Sequence, residues 1–381
     1  MSAHNTSVAE VVEYVKKNII DPNFENVEEF EILSTIRYDP NLTHVLPVTT
    51  QLDFDIRFDF LKNDSSSVVS AVSGNVLFNE DFLNDGNDNA VHDPLSELLF
   101  LLEQPLKAGY TSLVPSSSKM DLKSTYEERF FLLKEHHQRL NLTMSYFDWD
   151  FEIPFSLLLD KLIEALPLAC AESDEENISL SRRMELLLSM NQSYKMRVLI
   201  SRGGNMKIEA YPLQTETAEP NDKQQYFINT LLSGFLTNGP VWDVYIDTQT
   251  IVISPFTTFK TTKRQHYNES RTRMTEMASR IGNPNNKTEI LVYNEAFQLL
   301  EGSITSVAVK NYINEKEYRY VAPFLASGCL CGVMRHFLIQ KGLVQEEAID
   351  IRDISVGDEV LIFNSVMGCV KGIIKNNPTR K

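Results

Sequence analysis

The second half of the chain sets the strongest limit on its fold. Short apolar runs of strand length at 241–246, 251–253, 289–293, 303–309 and 359–363 alternate with helical spacing at 266–280 and 333–341. Strands and helices interleaved in this way predict an α+β architecture. No internal repeat underlies the pattern.

The first half is less regular. Val8, Val11, Val12 and Val15 fall at helical spacing within 8–20, which Asp21-Pro22 ends. Phe30, Ile32 and Ile36 fit a strand that Asp39-Pro40 closes. Residues 41–123 differ in character, with serine runs at 65–67 and 116–118, a polar stretch at 84–89, and only short apolar pieces such as 95–102. This stretch is expected to be an insertion. Two amphipathic segments follow at 126–149 and 155–168, then an acidic loop at 172–176. A hairpin is expected from 196–200 and 207–211, joined by the turn 201–205. The polar, turn-forming stretch 212–223 reads as a linker. It divides an N-terminal α+β domain over 1–218, which carries the insertion, from a C-terminal α+β domain over 219–381.

Length agrees with two domains, since 381 residues exceed the usual size of one. Lys and Arg total 36 against 52 Asp and Glu, a formal net charge of -16. That sign opposes a general nucleic-acid or anionic-membrane binder, although it leaves room for a local basic pocket that takes an anionic small molecule. No apolar run approaches the roughly 20 residues needed to span a bilayer. The start Met1-Ser2-Ala3-His4-Asn5 has the character of neither a signal nor a transit peptide, so a soluble cytoplasmic protein is expected. Cys170, Cys329, Cys331 and Cys369 form no CxxC pair, and the seven histidines, His136-His137 among them, form no HExxH pattern. Reduced thiols and no metal site are therefore expected.

Several segments carry groups whose chemistry belongs together. Lys260 lies in Phe259-Lys260-Thr261-Thr262-Lys263-Arg264, just after Ser254-Pro255. A lysine ordinarily sits in solvent. One whose surroundings lower its pKa forms a Schiff base with a carbonyl cofactor. Glu301, in Leu299-Leu300-Glu301-Gly302-Ser303, opens the strand expected over 303–309. It is either a solvated end residue or a carboxylate that keeps a pyridine nitrogen protonated. The run Gly328-Cys329-Leu330-Cys331-Gly332-Val333-Met334-Arg335 reads as a glycine-bearing turn into a helix. Exposed N–H groups there suit an ordinary helix start or a phosphate monoester. Asn364-Ser365 offers donors at the carboxyl end of a strand. His136 and Arg139 share a helix face that would present a guanidinium to a phosphate. Arg202 and Arg264 are candidates for substrate carboxylates.

Taken in order, these segments resemble the two-domain fold-type IV pyridoxal-phosphate enzymes, which share the D-amino acid aminotransferase-like architecture, and within them the fungal 4-amino-4-deoxychorismate lyases. The resemblance covers most of the chain outside 41–123 and is strongest over 254–372. Its most specific element is K-T-T-x-R-x-x-Y, here Lys260-Thr261-Thr262-Lys263-Arg264-Gln265-His266-Tyr267, and H-x-x-R-L falls within 133–140. The resemblance implies pyridoxal 5′-phosphate as cofactor, with Lys260 as the Schiff-base lysine and Glu301 at the pyridine nitrogen. It places Arg139 and the backbone of Gly332, Val333 and Met334 at the phosphate, with Asn364 and Ser365 adjacent. Thr35, Arg202 and Arg264 would face the substrate. The implied reaction is conversion of 4-amino-4-deoxychorismate to 4-aminobenzoate and pyruvate, in folate biosynthesis. A branched-chain or D-amino acid aminotransferase shares the same parts, and a non-catalytic protein that keeps the cofactor is a third reading. Ser306 stands where many relatives have asparagine, and 8–20 replaces their N-terminal hairpin. Relatives are generally homodimers with active sites near the subunit interface. A homodimer is thus implied, with the insertion placed where it would preserve, alter or block that contact.

Overall fold

The computed structural model describes residues 30–42, 78–79, 122–168, 178–214 and 222–380. The helix expected over 8–20 and the acidic loop 172–176 lie outside these residues, as does the expected insertion except at 41–42, 78–79 and 122–123.

Strand β1 (Ile32–Tyr38) follows the apolar alternation of its sequence, placing Ile32, Ile36 and Tyr38 in a core. It pairs antiparallel with β3 (Tyr194–Ile200), which pairs antiparallel with β4 (Met206–Pro212). The expected hairpin is present. Helices α1 (Leu122–Arg129), α2 (Leu133–Tyr146), α3 (Phe155–Ala165) and α4 (Leu180–Leu188) contribute Tyr126, Leu140, Met144, Leu158, Leu162 and Met184 to the same core. Each fully buried aliphatic side chain there contributes about 1.5–3 kcal/mol.

The segment 126–149, which the periodicity gives as one amphipathic stretch, is divided. Leu132 takes a left-handed conformation with φ 54°. The residues before it hydrogen-bond to the end of β1, Phe131 N–H to Arg37 O and Asp39 N–H to Arg129 O, both at 2.8 Å. Strand-like pairing at this point interrupts the helix.

The second sheet is larger and mixed. Among the described residues its order is β10-β9-β8-β11-β12-β5-β6-β7, with β2 on β9. The strands are β2 (Phe78–Asn79), β5 (Val241–Ile246), β6 (Thr288–Tyr293), β7 (Leu299–Gly302), β8 (Ser306–Tyr312), β9 (Glu317–Pro323), β10 (Gln345–Glu347), β11 (Glu359–Asn364) and β12 (Gly368–Ile374). Helices α5 (Lys223–Leu231) and α8 (Val333–Gln340) pack Phe227, Leu231, Phe337 and Leu338 against Leu361 and Phe363. Helix α7 (Gln265–Ile281) buries Met274 with Tyr245 and Ile290. The architecture is the expected α+β one, and no helix among the described residues is long and apolar enough to cross a membrane.

Two expectations need correcting. Residues 251–253 form no strand: Ile251 N–H bonds Tyr293 O at 2.9 Å, and the chain then turns into the short helix α6 (Pro255–Thr258). The strand expected to begin at Ser303 begins at Ser306, because the Glu289 carboxylate accepts hydrogen bonds from Ser303, Ile304 and Thr305 and holds them in a turn. Glu301 therefore lies in β7, on the far side of that turn from β8.

Candidate active site

Lys260 is positioned by its neighbours on both sides. Ser254 Oγ accepts from Phe256 N–H at 3.2 Å, Thr257 Oγ1 accepts from Ser254 N–H at 3.1 Å, and Pro255 starts α6, so the helix is capped from its own first turn. Phe259 ends it in an extended conformation, and the chain then runs beside β1. Leu33 N–H donates to Lys260 O at 2.8 Å and Thr262 N–H to Glu31 O at 2.9 Å, with Ile32 bridged to Thr261. The lysine segment is thus sewn to the small sheet.

Around the half-buried Lys260 side chain the electrostatics are unusual. Burial lowers its pKa to about 7, helped by the Arg264 and Arg139 cations and opposed by Glu301. Glu301 is buried, and loss of hydration raises it to about 7 against a hydrogen bond from Tyr267 and the cations of Arg264 and Lys260. Tyr267, in the first turn of α7, donates its hydroxyl to Glu301 Oε1. Arg264 lies over the Tyr267 ring at 4.6 Å and donates to Ser303 O at 2.7 Å.

Arg139 comes from α2, whose buried face also carries His136. Its guanidinium donates to Ser34 Oγ at 3.1 Å and to Cys331 O at 3.3 Å. A guanidinium only donates, so the Ser34 hydroxyl proton is left for His136 Nδ1, 2.8 Å away. His136 is neutral, held well below its usual pKa by burial and then by the Arg139 and Lys260 charges. Burial also brings Arg139 down to about 10, where it remains a cation at neutral pH.

The Cys331 contact sets Arg139 beside the start of α8. Gly332 precedes Val333 and Met334 there, and no side chain caps the helix. A Cβ on Gly332 would lie 2.6 Å from Ser306 Oγ, so a side chain here would push that hydroxyl aside, and the first N–H groups of the helix carry no side-chain cap. Asn364 Nδ2 donates to Ile304 O at 3.2 Å, and Ser365 Oγ to Thr35 O at 3.0 Å, tying the end of β11 to both walls.

Lys260, Arg139, Glu301 and Arg264 are therefore brought together electrostatically, and Gly332, Val333 and Met334 stand beside Arg139. Thr35 is half-buried on β1, opposite Arg197 of β3. Arg202 is exposed in the turn 201–205. Sequence reasoning missed Ser34 and the bond from Tyr267 to Glu301. Ser34 had a signal, as the polar residue on the β1 face that otherwise shows Ile32, Ile36 and Tyr38. Tyr267 closes the motif that begins at Lys260, but its partner lies 34 residues away.

An amine, a carboxylate and an arginine beside a bare helix start, gathered between a small and a large sheet, define a pyridoxal-phosphate type of enzyme pocket. The model of the amino-transferase class IV family matches residues 120–372, and the chain belongs to that family. It is 36% identical over 370 residues to the aminodeoxychorismate lyase of Saccharomyces cerevisiae, covering 91% of this chain and 93% of that one. Among solved structures, the branched-chain amino acid aminotransferase from Escherichia coli matches with TM-score 0.42 and 14% identity, over 64% of this chain and 70% of that one. The branched-chain amino acid aminotransferase from Thermobaculum terrenum matches with TM-score 0.42 and 14% identity, over 64% and 70%.

The family's cofactor is pyridoxal 5′-phosphate, and the residues fit it. A buried cation beside uncapped helix N–H groups suits its phosphate. A lysine near neutrality suits attachment to its carbonyl, and a buried carboxylate suits its ring nitrogen.

Proposed function

We propose that this enzyme is a lyase that splits 4-amino-4-deoxychorismate into 4-aminobenzoate and pyruvate, a step towards folate. The observation that carries the reading is the 36% identity to an aminodeoxychorismate lyase across 91% of the chain. The pocket adds the groups that such a cleavage requires.

In this reading Arg139 and the uncapped backbone N–H groups of Val333 and Met334 after Gly332 hold the cofactor phosphate, with Asn364 and Ser365 bracing the same end. When bound, pyridoxal 5′-phosphate supplies an electron sink for negative charge left on the amine-bearing carbon. Glu301 holds a proton at the pyridine nitrogen; the resulting cation next to it favours its ionised form. Lys260, with a pKa of about 7, has a large neutral fraction at physiological pH, and removes the proton from the amine-bearing ring carbon. The carbon–oxygen bond to the enolpyruvyl group then breaks, the departing oxygen takes up a proton, and the enol becomes pyruvate while the ring becomes aromatic. Arg264 is assigned to a substrate carboxylate, with Thr35 and Arg202 on the small-sheet side.

The described cysteines, Cys329, Cys331 and Cys369, are buried and unpaired, which suits a reducing compartment, and cytoplasmic location is part of the same proposal. The same proposal divides the chain into domains over 1–218 and 219–381; β4 ends at Pro212 and α5 starts at Lys223.

The test is incubation of the purified protein, loaded with pyridoxal phosphate, with 4-amino-4-deoxychorismate and no keto acid. Equal, catalytic amounts of 4-aminobenzoate and pyruvate are expected. If neither forms although the cofactor is bound, the lyase reading fails, and amino donors paired with keto-acid acceptors become the substrates to try.

A further inference from the structure

Outside the pocket, one buried carboxylate gathers an unusual number of donors. Glu289, on β6, is fully buried. Its Oε1 accepts from Ile290 N–H at 2.8 Å, Ser303 N–H at 3.1 Å and the Ser303 hydroxyl at 2.6 Å. Its Oε2 accepts from Ile304 N–H at 3.3 Å and the Thr305 hydroxyl at 2.9 Å. All but the first of these donors belong to Ser303, Ile304 and Thr305, so the carboxylate closes the turn between β7 and β8 together with two backbone bonds, Gly302 N–H to Thr305 O at 2.8 Å and Ser303 N–H to Ile290 O at 3.0 Å. Gly302 completes the fit, since a Cβ there would stand 2.9 Å from Glu289 Cδ.

This turn supports several site residues at once. Glu301 lies two residues before Ser303 in the chain. Ser303 O receives Arg264 Nη2 at 2.7 Å, and Ser303 Oγ receives Arg271 Nη1 at 3.2 Å. Ile304 O receives Asn364 Nδ2 at 3.2 Å, and Ser306, just beyond the turn, packs its hydroxyl on Gly332. A shift of the turn would displace Arg264, Glu301 and Asn364 together.

We infer that Glu289 is a positioning residue of this enzyme: without touching cofactor or substrate, it fixes the 303–305 turn and through it the placement of Arg264, Glu301 and Asn364. The inference rests on the roles given to those three residues above. Its chemical basis is that a carboxylate only accepts. Glutamine in its place offers one accepting oxygen and a donating NH2, so the donors now on one of the two oxygens would face another donor. Because a misplacement of about 1 Å at a reacting centre costs about 10²-fold, loss of this one acceptor set should reach the chemistry.

The experiment compares wild type with Glu289→Gln and Glu289→Asp. It measures amide hydrogen exchange across 299–306 in the cofactor-free protein, pyridoxal phosphate affinity by fluorescence titration, and KM and kcat where turnover is present. In Glu289→Gln, protection at Ile304, whose N–H donates to Oε2, should fall, while Ser303, which also bonds Ile290 O, and strands β5 and β6 remain protected. Cofactor affinity should weaken about tenfold and KM should rise about tenfold or more, with a smaller change in kcat. Glu289→Asp, which keeps an accepting group, should recover part of each effect. Wild-type protection with wild-type cofactor affinity overturns the inference, as does lost protection that leaves affinity unchanged. If Glu289→Gln fails to fold, Thr305→Val removes a single donor at nearly constant volume: a smaller loss in the same direction supports the inference, and unchanged affinity overturns it. Absence of 4-aminobenzoate from the wild type would instead count against the functional reading, because exchange and cofactor affinity report on Glu289 without turnover.

Discussion

The two ends of the pocket use burial to opposite effect. At the Arg139 end, burial lowers the arginine only to about 10 and drives His136 well below its usual value, so at neutral pH one is a constant cation and the other constantly neutral. At the Lys260 end, the same loss of hydration brings an amine down to about 7 and a carboxylate up to about 7, so both change charge close to neutrality. The cause is shared and the starting values differ. An arginine begins too high for burial to discharge it, which suits an anchor for a permanent anion. A lysine and a glutamate begin on either side of neutrality and are brought to it from above and below, which suits groups that exchange protons. The ends are also coupled, since the Arg139 cation helps to hold Lys260 down.

The most severe break in this comparison is Lys260→Ala. In the proposed mechanism it removes the reacting amine and leaves the anchor, so turnover should fall by at least about 10²–10⁴-fold. Circular dichroism should be unchanged, because the bonds that place this segment are made by backbone groups and Thr262. Turnover within tenfold of wild type would remove Lys260 from the mechanism. Arg139→Ala attacks the other end. Charge-assisted hydrogen bonds are each worth about 1.5–3 kcal/mol, so cofactor affinity should weaken by about 10–150-fold in a titration of the cofactor-free protein. Affinity equal to wild type would show that the phosphate binds elsewhere.

Both ends were partly legible in the sequence. Lys260, Glu301 and the turn into α8 each sit in a short local pattern, and an α+β fold followed from the spacing of apolar runs. What escaped was whatever depends on distant partners. The Lys260 pKa is lowered by burial, by Arg264 and by Arg139, and the last of these lies far earlier in the chain. Glu301 looked like the opening of one long strand, because nothing between it and Val309 reveals that Glu289 folds three of those residues into a turn. Helix α5 follows directly on a polar stretch that reads as linker, and its apolar face is only partly marked by Phe227, Ile228 and Leu231. Strand β12 was missed because Gly368, Gly372 and Lys371 dilute its apolar run, yet it is central in the large sheet.

The reacting end can be probed without mutation by following attachment of the cofactor to Lys260 against pH. Only the neutral amine attacks a carbonyl. With a pKa of about 7, its neutral fraction rises as pH increases through 7 and is nearly complete about one to two units above, whereas an ordinary lysine keeps gaining to beyond pH 10. Stopped-flow absorbance on mixing cofactor-free protein with pyridoxal phosphate should therefore rise in rate through pH 7 and level off, with borohydride trapping and mass spectrometry to locate the bond. A midpoint near 10 would mean that this amine lies in water. In Arg139→Ala the midpoint should move upward, because one of the cations that lowers it is gone.

The finest adjustment belongs to Tyr267. Its hydroxyl donates to Glu301 and lowers the pKa of that carboxylate against the larger opposing effect of burial. Tyr267→Phe removes the donor, keeps a ring beneath Arg264, and should raise the Glu301 pKa further. In the proposed mechanism the ionised carboxylate accepts from the ring nitrogen, so the acid limb of kcat against pH should move to higher pH. The loss should be a few-fold to about tenfold at the limb and below it, within the worth of one charge-assisted bond, and should shrink as pH rises above the new limb. A limb that stays where it was would show that Glu301 does not set it.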